Sequence, residues 1–350
     1  MTGPSLADSF RRLIAATGPI SLAHFMGESN ARYYASRDPL GAEGDFITAP
    51  EISQMFGEFV GLWLADIWVR AGSPANPIYV ELGPGRGTLA SDALRTMKRA
   101  GLAPEVHLVE GSPALRRLQQ AAVPQAHFHD DLSSVPMDRP LLLAANEFLD
   151  ALPIRQLVMT TAGWREVEVT VDETGSFALA AGSRPMDAAL SEDRREAEEG
   201  TVIETCPGAA TVVSEVAGRL ARQGGAALFI DYGYAALRAG STLQAIRAHR
   251  KVDPLAMPGE ADLTAHVDFA TLAQVAQADG ARWLGTTEQG AWLIALGLGA
   301  RAESLGRASP AQREAIGRAV DRIAGDEQMG KLFKVMGLAA PGWPDGAGFS

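Results

Sequence analysis

The stretch VELGPGRGTLASDALR, residues 80–95, decides how this chain is read. It closes the apolar run 78–80 and leads into a helix-like segment, so the order is strand, bend, helix. Glycines at 83, 85 and 87 give the bend the positive φ and the close ligand approach that a Cβ would obstruct. A phosphate loop would place Lys and Ser/Thr directly after its second glycine, yet no lysine occurs before Lys98. A dinucleotide turn would place its third glycine three positions after the second. Here that position is Thr88, and Gly87 comes one place early. A carboxylate, Glu81, stands two residues ahead of the first glycine. An acid there suits a ligand that brings an amine rather than a pyrophosphate to the helix N-terminus. S-adenosylmethionine, with a sulfonium, an α-ammonium and no phosphate, answers that description.

Further acids follow at successive strand ends. Glu110 closes VHLVE, where a carboxylate beyond the carboxyl end of a parallel strand is placed to accept both ribose hydroxyls. Asp130 and Asp131, in HFHDDLSSVP, follow the third strand and are candidates for the adenine amine. Each acid alone reads as a solvated strand end; together, beside the glycine bend, they outline a methyl-donor site rather than a nicotinamide site.

The rest of the chain supplies the frame. Short β-type runs (IYVEL, VHLVE, LLLAA, AALFID) alternate with helix-like segments, which predicts a parallel sheet covered on both faces. Period-2 stretches in 154–181 predict an antiparallel insertion, ending near 205. A short helix is expected over 5–16, an ordered loop over 38–51, a helix over about 55–70, a strand near 291–298 and a helical end over 311–336. The expected divisions are 1–75, 76–300 and 301–350: an N-terminal helical and loop region, the core with its insertion, and a C-terminal helical segment packed on it.

Composition bounds the function. The net charge of −11 argues against a nucleic-acid partner and favours a cationic one. The longest apolar runs are too short to span a bilayer. With no apolar signal core at the N-terminus and Cys206 as the one cysteine, a reducing, cytoplasmic location is expected. The six histidines show no metal-ligand spacing, and no Gly-x-Ser-x-Gly elbow supports a hydrolase.

The segments GDFITAPEISQMFGE (44–58), ELGPGRGTLASDALR (81–95), NEFLDALPIRQL (146–157), IDYGY (230–234) and GEADLTAHVDF (259–269) resemble the MidA family of class I methyltransferases. The resemblance implies an α/β, Rossmann-like sheet of seven strands, the last antiparallel to the rest. It implies S-adenosylmethionine as cofactor, S-adenosylhomocysteine as product, and a protein arginine in a core subunit of respiratory complex I as acceptor. It also puts the loop carrying Asp45, Thr48, Glu51 and Gln54 over cofactor and substrate, Thr48 on the cofactor side.

In methyltransferases of this fold the loop after the fourth strand faces the donated methyl. Here it carries Asn146, Glu147 and Asp150. A neutral amide such as Asn146 can position an attacking nitrogen, and a carboxylate can take a guanidinium fork bidentately. Glu147 is the leading clamp, with Asp150 and then Glu204 behind it; Asp150 reads equally as a helix N-cap. His266, between a polar loop and a helix-like stretch, is a candidate proton acceptor, though lone histidines are more often structural. Three readings stay open on these residues: a methyltransferase of a protein or a small molecule, a binding factor that keeps the fold, and a nicotinamide oxidoreductase. The oligomeric state is open too, a homodimer included.

Overall fold

The computed structural model describes residues 5–36, 47–190 and 192–349. These fall into two compact units. One comprises residues 5–36 with Asp150–Ala209 and Leu237–His266; the other comprises residues 47–149, Ala210–Ala236 and residues 267–349.

The second unit is built on one sheet. Its strands are β1 (Ile78–Leu82), β2 (Glu105–Val109), β3 (His127–His129), β4 (Leu141–Asn146), β5 (Gly225–Tyr234), β6 (Arg282–Glu288) and β7 (Phe333–Ala339). Their spatial order is β6-β7-β5-β4-β1-β2-β3, with the short strand Val267–Asp268 pairing beside β5. β1 runs parallel to both β4 and β2, and β5 parallel to β4. β7 is antiparallel to β5 and to β6. Every residue of β1 and β4 is buried, which is why both strands read as apolar apart from Glu81 and Asn146: a parallel strand covered on both faces has no solvent side to mark with alternating polar residues. Strand order reverses at β1, whose neighbours lead away in opposite directions, and a ligand crevice forms beyond the carboxyl ends at such a point. Helices α1 (Gln54–Arg70), α2 (Thr88–Arg99) and α3 (Pro113–Ala122) complete what the site needs.

The expected α/β sheet with an antiparallel last strand is present, but that strand is not where the sequence reading put it. The run 291–298 is helical over Gln289–Ala295, and the last strand is β7. A short buried apolar run has no period to tell helix from strand. For the same reason Phe333 and Met336, read at helical spacing, lie in β7, while Arg313–Ala324 and Met329–Leu332 before them are helical. The C-terminal segment is therefore not purely helical.

The first unit holds the insertion. Arg155–Thr160, Gly163–Val171, Phe177–Pro185 and Val202–Thr205 form an antiparallel sheet with Ile20–Ser21 at one edge. Helices Leu6–Thr17 and Leu22–Ser36 bring Phe10 and Phe25 together, stacked at 4.9 Å, with Phe177 edge-on to both. No described helix is long and apolar enough to cross a membrane.

Candidate functional site

β1 ends where Gly83 donates its N–H to the carbonyl of Val109 at 3.1 Å. Gly83, Gly85 and Gly87 then take φ of 61°, 55° and 83°, all left-handed. Glycine carries that conformation without the Cβ penalty of other residues. Space demands it as well, since a Cβ on Gly83 would meet Phe148 Cδ2 at 2.8 Å. Gly87 is the N-cap of α2, so the bend delivers the free N–H groups of a helix start to the crevice.

Two acids flank this bend in contrasting settings. Glu81 lies inside β1 at 2% exposure, its Oε2 accepting from the Tyr79 hydroxyl at 2.5 Å. Burial pushes its pKa up to about 8, and the tyrosine bond offsets only part of that. Glu110, just past β2, accepts from the Ser112 N–H at 2.7 Å on Oε1 and from Gln119 Nε2 at 3.1 Å on Oε2. Burial raises its pKa too, while those two donors pull it back.

The two aspartates beyond β3 are engaged locally. Asp130 is exposed and pairs with Arg116 at 2.5 Å. Asp131 caps the turn Leu132–Ser134, accepting from the Ser133 N–H at 2.8 Å and its hydroxyl at 2.5 Å.

β4 ends in an elbow. Glu147 has φ of 51°, a left-handed value on a residue with a full side chain. Such strain persists only where the surroundings hold it. The Glu147 N–H donates to Ile230 O at 2.9 Å, and the next two N–H groups, of Phe148 and Leu149, donate to Asp231 Oδ2 at 3.1 and 2.9 Å. Glu147 Oε1 accepts from Asn146 Nδ2 at 3.1 Å and from the Ala49 N–H at 3.2 Å. Asn146 is buried, and its Oδ1 accepts no hydrogen bond among the described residues. A buried acceptor left unsatisfied beside a strained carboxylate is costly.

The neighbouring loop reaches the glycine bend through Glu51, whose Oε1 accepts from the Thr88 hydroxyl at 2.5 Å. Thr48 is the N-cap of Ala49–Ile52 without a side-chain capping bond, and Gln54 is exposed at the start of α1. Asp45 lies outside the described residues.

Similarity to known proteins gives the family of the chain. Residues 59–287 match the family of S-adenosyl-L-methionine-dependent methyltransferases. The chain belongs to this family. It is 36% identical to the mitochondrial protein arginine methyltransferase NDUFAF7 of Mus musculus, over 93% of this chain and 82% of that protein. The Drosophila melanogaster homologue is 36% identical over 95% and 84%. A Burkholderia thailandensis methyl transferase bound to S-adenosyl-homocysteine superposes with a TM-score of 0.85 at 30% identity, covering 97% of this chain and 92% of that one. The expected cytoplasmic location is corrected by these comparisons, because the curated relatives are mitochondrial by name. The single cysteine pointed to a reducing compartment, and the cytoplasm is only one of those.

The remaining candidates of this methyltransferase lie in its other unit. Glu204 Oε1 accepts from Gln156 Nε2 and the Thr242 N–H, both at 2.9 Å, and Oε2 from the Thr242 hydroxyl at 2.5 Å. His266 donates its backbone N–H to that same hydroxyl at 2.9 Å. Asp150 is buried, and no helix follows for it to cap. Its charge, with that of Asp262, adds to burial in raising the pKa of Tyr34, whose hydroxyl donates to Asp262 at 2.8 Å.

Two residues of the site escaped the sequence reading. Asp231 had a signal, since it lies at the carboxyl half of an apolar strand. Gln119 had a fainter one: it stands four places after buried Leu115 on the inward face of α3.

Proposed function

We propose that this methyltransferase acts on an arginine side chain of a protein, with a core subunit of respiratory complex I as its host. The reading draws on the names of its relatives, on the family resemblance and on the elbow after β4. The observation that carries it is Glu147, held at left-handed φ by two neighbouring segments with the unsatisfied acceptor of Asn146 beside it. Strain of this kind serves to aim a side chain.

The cofactor's part is to present an electrophilic methyl on a sulfonium. In this proposal the glycine bend and Glu110 hold its nucleoside part, and Glu81 answers its cationic amino-acid end. A neutral carboxyl with a pKa of about 8 ionises readily when a cation arrives beside it. Such an environment suits a charged amine and disfavours a phosphate.

The acceptor's chemistry falls to the elbow. A guanidinium has a pKa of about 12.5 or higher, so its neutral form is not available in advance. The Glu147 carboxylate takes two N–H groups of the guanidinium fork, draws its positive charge away from the attacking nitrogen and receives the proton released as the methyl transfers. Asn146 Oδ1 accepts an N–H and fixes the direction of approach, which is where an in-line displacement gains most of its rate. Fragment mass analysis of proteins from cells with and without this gene tests the reading. The expected result is a complex I subunit whose arginine loses its methyl groups when the protein is absent. A difference confined to another residue type, or to small molecules, would overturn it.

A further inference from the structure

We propose that Gln119 is the positioning residue that orients the ribose acid Glu110, with the carbonyl of Gly85 in the glycine bend as the anchor that holds its buried amide in place. Gln119 is completely buried in α3, the helix that follows β2. Both of its amide N–H groups are used in the site. Nε2 donates to the carbonyl of Gly85 at 2.7 Å and to Glu110 Oε2 at 3.1 Å. Its own Oε1 is buried without a hydrogen-bond partner among the described residues. An amide kept for packing alone would not leave its acceptor unsatisfied, and a leucine or methionine would fill the same space without that cost. The arrangement makes sense if both donors are needed where they are.

The consequence for Glu110 follows from counting lone pairs. Each carboxylate oxygen accepts about two hydrogen bonds. Oε1 takes one from the Ser112 N–H, and Oε2 takes one from Gln119. The Gly111 N–H also bonds this carboxylate, which still keeps capacity for a ribose hydroxyl. These donors also oppose the effect of burial, which favours the protonated acid. α3 closes tightly on the bend at the same point: a Cβ on Gly87 would lie 3.2 Å from Ala122 Cβ and 3.4 Å from Gln119 Cα.

The inference rests on Glu110 as the ribose acid, and the test separates the two claims. Titration calorimetry with S-adenosylhomocysteine and with its 2′,3′-dideoxy analogue is run on the full-length wild type, Glu110→Gln, Gln119→Met, Gln119→Glu and the double variant Glu110→Gln/Gln119→Met. Gln119→Met keeps the volume and removes both donors. It should weaken S-adenosylhomocysteine about tenfold and leave the dideoxy analogue unchanged, with the double variant no weaker than Glu110→Gln alone. Gln119→Glu turns a carboxylate onto Gly85 O and Glu110, so its affinity should recover as the pH is lowered. Equal weakening of both ligands, additive losses, or no recovery at low pH would show Gln119 to be a packing residue and overturn the inference. If Glu110→Gln itself leaves both affinities unchanged, the ribose assignment falls, and with it the inference.

Discussion

Two adjacent strands end in turns that solve one geometric problem in opposite ways. β1 and β4 are paired in parallel, and each passes into left-handed backbone at its carboxyl end. After β1 the positive φ falls on three glycines, and the acid, Glu81, stays behind in the buried strand. After β4 it falls on the acid itself, Glu147, which is thereby thrown out of the sheet plane. The difference separates what each turn is for. Where the backbone must approach a ligand, glycine makes the conformation cheap; where a side chain must be aimed, the chain bears strain of roughly 1–2 kcal/mol to keep the side chain.

The largest break in this comparison is a side chain in the first turn. Gly85→Val puts a β-branched residue at a φ of 55°, where such residues are rarely found. S-adenosylhomocysteine binding should be lost by calorimetry, and near-wild-type affinity in a folded variant would show that the bend does not cradle the cofactor.

Glu81 sharpens the contrast through pH. Its folded pKa of about 8 lies above the ordinary value of 4.5. Between those two pH values the folded protein holds a proton that the unfolded chain has released, so the contribution of Glu81 to stability is full below pH 4.5 and is lost as pH rises toward 8. Set against Glu81→Gln, which has no such group, the wild type should lose a few kcal/mol more across that window in denaturant titrations. Parallel curves for the two proteins would mean that Glu81 is ionised in the fold.

Removing Glu110 tests the acid that, unlike Glu81, is held by N–H donors. Glu110→Ala should weaken S-adenosylhomocysteine by about tenfold to a hundredfold, the loss of a charge-assisted bond. An unchanged Kd in the folded variant would take Glu110 out of the site.

The smallest effect is the most specific to the second turn. Glu147→Gly and Glu147→Ala both delete the carboxylate and differ only by a Cβ at a φ of 51°. The glycine variant should be the more stable by about 1 kcal/mol in thermal unfolding, inverting the usual advantage of alanine over glycine. If alanine is the more stable, the elbow is not held in left-handed backbone.

What the sequence revealed divides along the same line. The glycine bend and the acids beside it were legible because their signals are local: spacing within a few residues and apolar strands buried on both faces. β7 was not, because FKVMGLA is a short apolar run directly after helical residues, and only its pairing with β5 and β6 makes it a strand. Gln119 and Asp231 reach their partners across 34 and 83 positions of chain, and nothing in the residues around either one names those partners. The surroundings of Glu204 were equally hidden. Gln156 and Thr242 hold it through both of its oxygens, across 48 and 38 positions of chain.

The central claim is that Glu147 clamps a protein arginine for methylation. Transfer of radiolabelled methyl from S-adenosylmethionine to the organism's own complex I core subunit, with its arginines replaced in turn, tests it most directly when run beside Glu147→Gln. The account predicts label on the wild-type subunit that vanishes with one arginine, and a rate at least a hundredfold lower for Glu147→Gln with S-adenosylhomocysteine binding intact, as expected when a transition-state interaction is removed. Label that persists with every arginine gone, or a Glu147→Gln enzyme as fast as wild type, would contradict it.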